Sequence, residues 1–72
     1  MMMKNQIAAY PEWSPRVHVE AWLKDVAREA GEYAENAMAE FGCAAPDHNG
    51  EIDTSHLSDA DIDAIMQAAI NA

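Results

Sequence analysis

Cys43, His48 and His56 carry the thiol and imidazole groups that zinc prefers, and Asp47 or Asp53 would supply a carboxylate to complete a tetrahedral set. The spacing fits no standard zinc pattern and the chain has a single cysteine, so the expectation is a buried small thiol and two solvated histidines. One cysteine also excludes an intrachain disulfide and fits a reducing compartment. The remaining chemistry-bearing groups are carboxylates, and their distribution is lopsided. From Glu29 onward there are ten acids (Glu29, Glu32, Glu35, Glu40, Asp47, Glu51, Asp53, Asp59, Asp61 and Asp63) and no Lys or Arg. Residues 1–28 hold Lys4, Arg16, Lys24 and Arg28 against Glu12, Glu20 and Asp25, so a near-neutral first part precedes a strongly acidic remainder and the whole chain carries −9.

A field of that sign repels nucleic acid and anionic lipid, and attracts basic protein surfaces and cations. It predicts no direct nucleic-acid binding and no membrane association. Part of the acid has a local explanation. Asp59 and Asp61 lie at the start of the last predicted helix, where the positive helix end favours them, although Asp59 and Asp63 are four apart and repel. Glu20–Lys24 and Arg28–Glu32 read as i, i+4 surface pairs. Glu32, Glu35 and Glu40 have no helical cation partner, and Glu40 sits near the negative end of its helix. The acidic set expected to meet a partner is therefore Glu29, Glu32, Glu35, Glu40, Asp59 and Asp63.

The elements that must position these groups are helical. Ser14 is the expected N-cap and Pro15 the first residue of a helix running to Phe41. Trp22, Val26, Ala30, Tyr33, Ala37 and Phe41 recur at spacings of three and four and form its expected core or dimer face, widened by Leu23, Ala27, Ala34 and Met38. Gly42 is a natural left-handed terminator. Gly31 weakens the helix interior, and two reasons for it stand open: a close approach by another helix across Ala27, Ala30 and Ala34, or a kink. Residues 43–57 form a loop with strong turn chemistry at Pro46-Asp47-His48-Asn49-Gly50, and Ile52 and Leu57 are its apolar anchors. A second helix covers residues 58–71, with Ser58 and Asp61 as a weaker capping box and Ile62, Ile65, Met66 and Ala69 as its buried face. In the N-terminal arm, residues 1–14, Ile7 to Tyr10 form a helical turn ended by Pro11.

The expected architecture is thus all-α: a single small domain over residues 1–72, built as a helical hairpin with an N-terminal arm. A chain of 72 residues supplies only about 3–5 kcal/mol from one core, and alanine dominates its apolar half. With much of the long helix uncovered, a homodimer through the Trp22–Phe41 face is the expected remedy. Nothing resembles a signal peptide or a membrane span, so the expected location is the cytosol.

Phe41 to Leu57, about a quarter of the chain, resembles a degenerate EF-hand, the helix–loop–helix calcium module. With Gly50 as the turn glycine, Asp47, Asn49 and Asp53 fall on side-chain ligand positions, Glu51 on the backbone-carbonyl position and Ile52 on the apolar one. Ala45 stands where the family has its first Asp, His56 where it has a bidentate Glu, and Pro46 where the loop bends. The resemblance implies at most weak calcium binding, at roughly the millimolar end of the family's range. No other cofactor is expected. Asp53-Thr54-Ser55 resembles the active-site tripeptide of aspartic proteases, but that chemistry needs two such aspartates on a β scaffold. The chain has no nucleophile–base–orienter set and no phosphate-binding glycine loop, so a non-catalytic role is expected. The leading expectation is an acidic interaction module that docks on a basic, nucleic-acid-binding partner. By analogy of size and charge alone, it would act as the inhibitors and DNA mimics among small phage- or plasmid-encoded accessory proteins do. A weak calcium module and a structural homodimer subunit are the alternatives.

Overall fold

The computed structural model describes residues 2–44, 46, 47 and 49–71, and among them every regular element is helical. Helix α1 spans Met3–Ala9, α2 Pro15–Ala30 and α3 Ala34–Ala39, with a 3-10 turn over Gly31–Tyr33 between the last two, and α4 spans Asp59–Asn71. Helix α2 is the centre of the molecule: α1, α3 and α4 each pack on it, and α1 also touches α4. None of the helices among the described residues is long and apolar enough to cross a membrane.

Local chemistry sets the element ends. Pro11 stops α1, whose last turn closes with Tyr10 N–H on the Gln6 carbonyl at 2.9 Å. Tyr10 to Trp13 is a four-residue turn with Pro11 at its second position, closed by Trp13 N–H on the Tyr10 carbonyl at 3.2 Å, and the Tyr10 and Trp13 rings stack at 4.1 Å. Ser14 Oγ then accepts from Val17 N–H, and Pro15 occupies the first helical position. At the other end of the chain Ser58 and Asp61 cap α4 reciprocally: Ser58 N–H donates to Asp61 Oδ2 and Asp61 N–H to Ser58 Oγ, both at 3.2 Å. The N-terminal segment is more helical than its sequence suggested, since α1 begins at Met3 and buries Met3 and Gln6.

The expected helix over 15–41 is broken. At about 1.5 Å per residue it would be about 40 Å long, more than the 30 Å of the molecule's longest axis. The break is at Gly31, where φ is +58° and ψ is −120°, a conformation that side chains with a Cβ strongly resist. A Cβ on Gly31 would meet nothing within 4 Å, so of the two readings of this glycine the structure supports the kink and not a close helix approach. After the turn, α3 folds back on α2 and ends where Gly42 turns left-handed, with φ +73°. There Cys43 N–H bonds the Met38 carbonyl and Gly42 N–H the Ala39 carbonyl, the paired bonds of a glycine-terminated helix.

The fold-back also corrects the expected face. On α2 the buried residues are His18, Val19, Leu23 and Ala27, so the stripe lies one position from the predicted Trp22, Val26 and Ala30, which are half-buried. Tyr33 is 65% exposed at the turn, while Ala37 and Phe41 are half-buried. The residues expected to flank the stripe are its centre: Leu23, Ala27 and Met38 are buried in the core cluster, whereas the larger Trp22 is half-buried against it. Met3, Val19, Leu23 and Met38 form the innermost core, with Ile62, Ile65 and Ala69 from α4 and Cys43 and Ile52 from the loop.

Candidate acidic interaction surface

The charged side chains of α2 hold the loop in place. Arg16, Glu20 and Lys24 are spaced i, i+4, i+8 and so share one side of the helix. Arg16 Nη1 donates to the Thr54 carbonyl at 2.6 Å and to Thr54 Oγ1 at 3.3 Å, and Nη2 donates to the Leu57 carbonyl at 2.7 Å. Thr54 is 3% exposed, and its hydroxyl donates to Glu20 Oε1 at 2.6 Å. Lys24 Nζ lies 3.3 Å from Glu51 Oε2. A buried loop carbonyl needs a partner, and a planar guanidinium supplies two donors in fixed geometry. The anticipated Glu20–Lys24 and Arg28–Glu32 pairs are therefore not what forms. Glu20 and Lys24 turn to the loop, while Arg28 pairs with Asp25 at 3.2 Å because Glu32 lies beyond the break at Gly31.

The loop uses its own carboxylates for turns. Asp47 Oδ1 accepts from Asn49 N–H at 2.9 Å and Glu51 N–H at 3.0 Å, and the Glu51 carbonyl accepts from Asp47 N–H at 3.1 Å. Asp53 Oδ1 accepts from both the amide and the hydroxyl of Ser55, at 2.9 and 2.6 Å. These Ser55 bonds, with the nearby His56 adding to them, hold the Asp53 carboxyl below its ordinary pKa. Of the calcium set implied by the EF-hand resemblance, then, Asp47 and Asp53 bind their own backbone, Glu51 pairs with Lys24, and Asn49 is exposed in the turn. Among the described residues no three His, Cys, Asp or Glu side chains converge as a metal site would require. His48 and Ala45 lie outside the described residues. His56 Nε2 bonds the Gly42 carbonyl at 2.7 Å, tying the loop to the end of α3. Cys43 is buried, and that burial, reinforced by the Asp53 charge, pushes its thiol pKa up.

A second polar contact ties down α1. Gln6 Nε2 donates to the His18 carbonyl at 2.7 Å and lies 3.1 Å from His18 Nδ1, with both residues buried. Rotating the amide would set its oxygen against the carbonyl, so Nδ1 is the acceptor of the pair. Sequence reasoning missed His18, Gln6 and Arg16 as structural groups. A charged row at i, i+4, i+8 was visible for Arg16, but its loop partners were not.

The six acids expected on one face are all exposed, and they fall in different places. Asp59 and Asp63 line one groove with Arg16, and Asp59 lies 3.6 Å from the Arg16 guanidinium. Glu40 shares a groove with Asp61, while Glu29, Glu32 and Glu35 line neither site. Among the described residues Glu29, Glu32, Glu35, Glu40 and Asp63 take part in no ion pair, while Arg16, Lys24 and Arg28 each have a carboxylate partner. The chain matches no family model, and no curated protein or solved structure shows significant similarity to it.

Proposed function

We propose that this protein is an interaction module that docks through its acidic surface on a partner with a basic, nucleic-acid-binding surface. The observation that carries this reading is the mismatch of charge and pairing. Three of the four Lys and Arg residues pair with Asp59, Glu51 and Asp25, and among the described residues the exposed Glu32, Glu35 and Glu40 take part in no ion pair. Unpaired like charges on a surface raise its potential and steer an oppositely charged partner.

The alternatives have less support. For the calcium reading, among the described residues no three His, Cys, Asp or Glu side chains converge, and Asp47 and Asp53 each already accept loop hydrogen bonds at Oδ1. The homodimer reading rested on an uncovered long helix, and α3 now covers part of it. The test compares capture from host lysate by the wild-type chain and by Glu32→Lys combined with Glu35→Lys, at low and moderate salt. The reading expects a basic partner that is lost both with salt and with the double variant. Equal capture by the two forms removes it.

A further inference from the structure

Helices α3 and α4 both lie on α2, but among the described residues they do not pack on each other. Between the end of α3 and α4 a groove of about 420 Å³ remains. Half-buried Phe41 and Leu57 and buried Ile65 make it apolar. Ala64 and Ala68 line it with small exposed side chains, and the exposed acids Glu40 and Asp61, the latter also capping α4 through Oδ2, line it as well. On α4 the lining residues 61, 64, 65 and 68 follow the i, i+3, i+4, i+7 pattern and extend about 10 Å along the helix. Two turns of another helix have the same length.

We propose that this groove receives one amphipathic helix rich in Lys or Arg, presented by the basic partner. The inference rests on the acidic-surface reading and adds to it an apolar site that holds Glu40 of the six acids but not Glu29, Glu32 or Glu35. Ala64 and Ala68 let a helix backbone come close, Phe41, Leu57 and Ile65 take its apolar anchors, and Glu40 and Asp61 meet its cations. A second copy of this chain is the poorer occupant on charge. Pairing the same patch on two copies sets Glu40 and Asp61 against their own equivalents, and the chain has no Lys or Arg after residue 28 to relieve them.

The probe is a pair of 16-residue peptides: one Lys-rich with Leu at i, i+3, i+4 and i+7, the other with those Leu replaced by Ala. Each is titrated into 15N-labelled protein at low salt and followed by amide shifts. The Leu peptide is expected to bind more tightly and to shift residues 40–42, 57 and 61–68. Ala68→Phe, which fills the groove at an exposed position without changing charge, is expected to weaken the Leu peptide by roughly tenfold and leave the Ala peptide unaffected. If both peptides bind equally, or the shifts centre on residues 29–35, the groove is overturned and the acidic-surface reading stands. If neither peptide binds at low salt, both fail.

Discussion

The rings of Trp22 and Phe41 meet edge to face, with centroids 5.1 Å apart and planes at 82°. On a continuous helix these residues, nineteen positions apart, would be separated by about 28 Å. The contact exists because the chain reverses at Gly31, and it joins within one molecule two residues whose spacing had suggested one continuous core or dimer face.

That contact has a measurable energy. An edge-to-face pair contributes about 0.5–1.5 kcal/mol beyond its area burial. A double-mutant cycle with Trp22→Leu and Phe41→Leu, read by urea unfolding, is expected to give a coupling energy in that range. Additive effects would mean that the two rings do not meet.

Gly31→Ala is expected to destabilise the protein by about 1–3 kcal/mol, because φ +58° with ψ −120° is strained for any residue with a Cβ. The empty space around a Cβ there makes backbone conformation the sole source of the loss. In a domain this small each 1 kcal/mol lowers Tm by about 4–8 °C. A variant with an unchanged or raised Tm, and with more helix by circular dichroism, would indicate a continuous helix instead.

How much of this was written in the sequence follows from the range of each interaction. Ser14-Pro15, Ser58 with Asp61, and Gly42 act within one helical turn, and each ends a helix where its residue type predicts. The Ile62, Ile65, Ala69 face of α4 was equally legible, because its packing partner needs only an apolar surface. Gly31 was visible as a weak point, but whether it bends the chain depends on Met38 finding the core beside Leu23, a contact that no local pattern encodes. The buried stripe on α2 was misplaced by one residue for the same reason. At the candidate surface the number of acids was evident, whereas their separation into the Arg16 neighbourhood, the groove and the Gly31 turn follows from how α3 and α4 pack on α2.

The Arg16 fork should be the main tie between α2 and the loop. Arg16→Lys keeps the charge but cannot reproduce two donors in fixed geometry to the Thr54 and Leu57 carbonyls, and an expected loss of about 1–2 kcal/mol follows. Hydrogen exchange separates this from a general effect. Amides of residues 51–57 should lose protection before those of α4. Uniform loss across both would contradict a local role for the fork.

Acid and alkaline behaviour have opposite signs. Asp53 is held below the ordinary carboxylate range, chiefly by the Ser55 hydroxyl and amide, so its contribution is present above that range and is lost as pH falls through the lower folded pKa. Ser55→Ala should raise the Asp53 pKa in a carboxyl NMR titration. Cys43 is raised above 9.0 by burial first and the Asp53 charge second, so its contribution is present below 9.0 and is lost as pH climbs through the higher folded value. A thiol reagent at pH 8 should modify Cys43 only as fast as the fold opens. Rapid modification of the folded chain would show an accessible thiolate.

The most direct test of the central claim is the affinity of the purified chain for its captured basic partner, titrated with sodium chloride. Contacts between unpaired surface carboxylates and Lys or Arg are screened over about 10 Å at 0.1 M salt. The account predicts affinity that falls steadily as salt rises, mainly through a slower association rate. Affinity independent of salt would contradict it and would assign recognition to apolar contact alone.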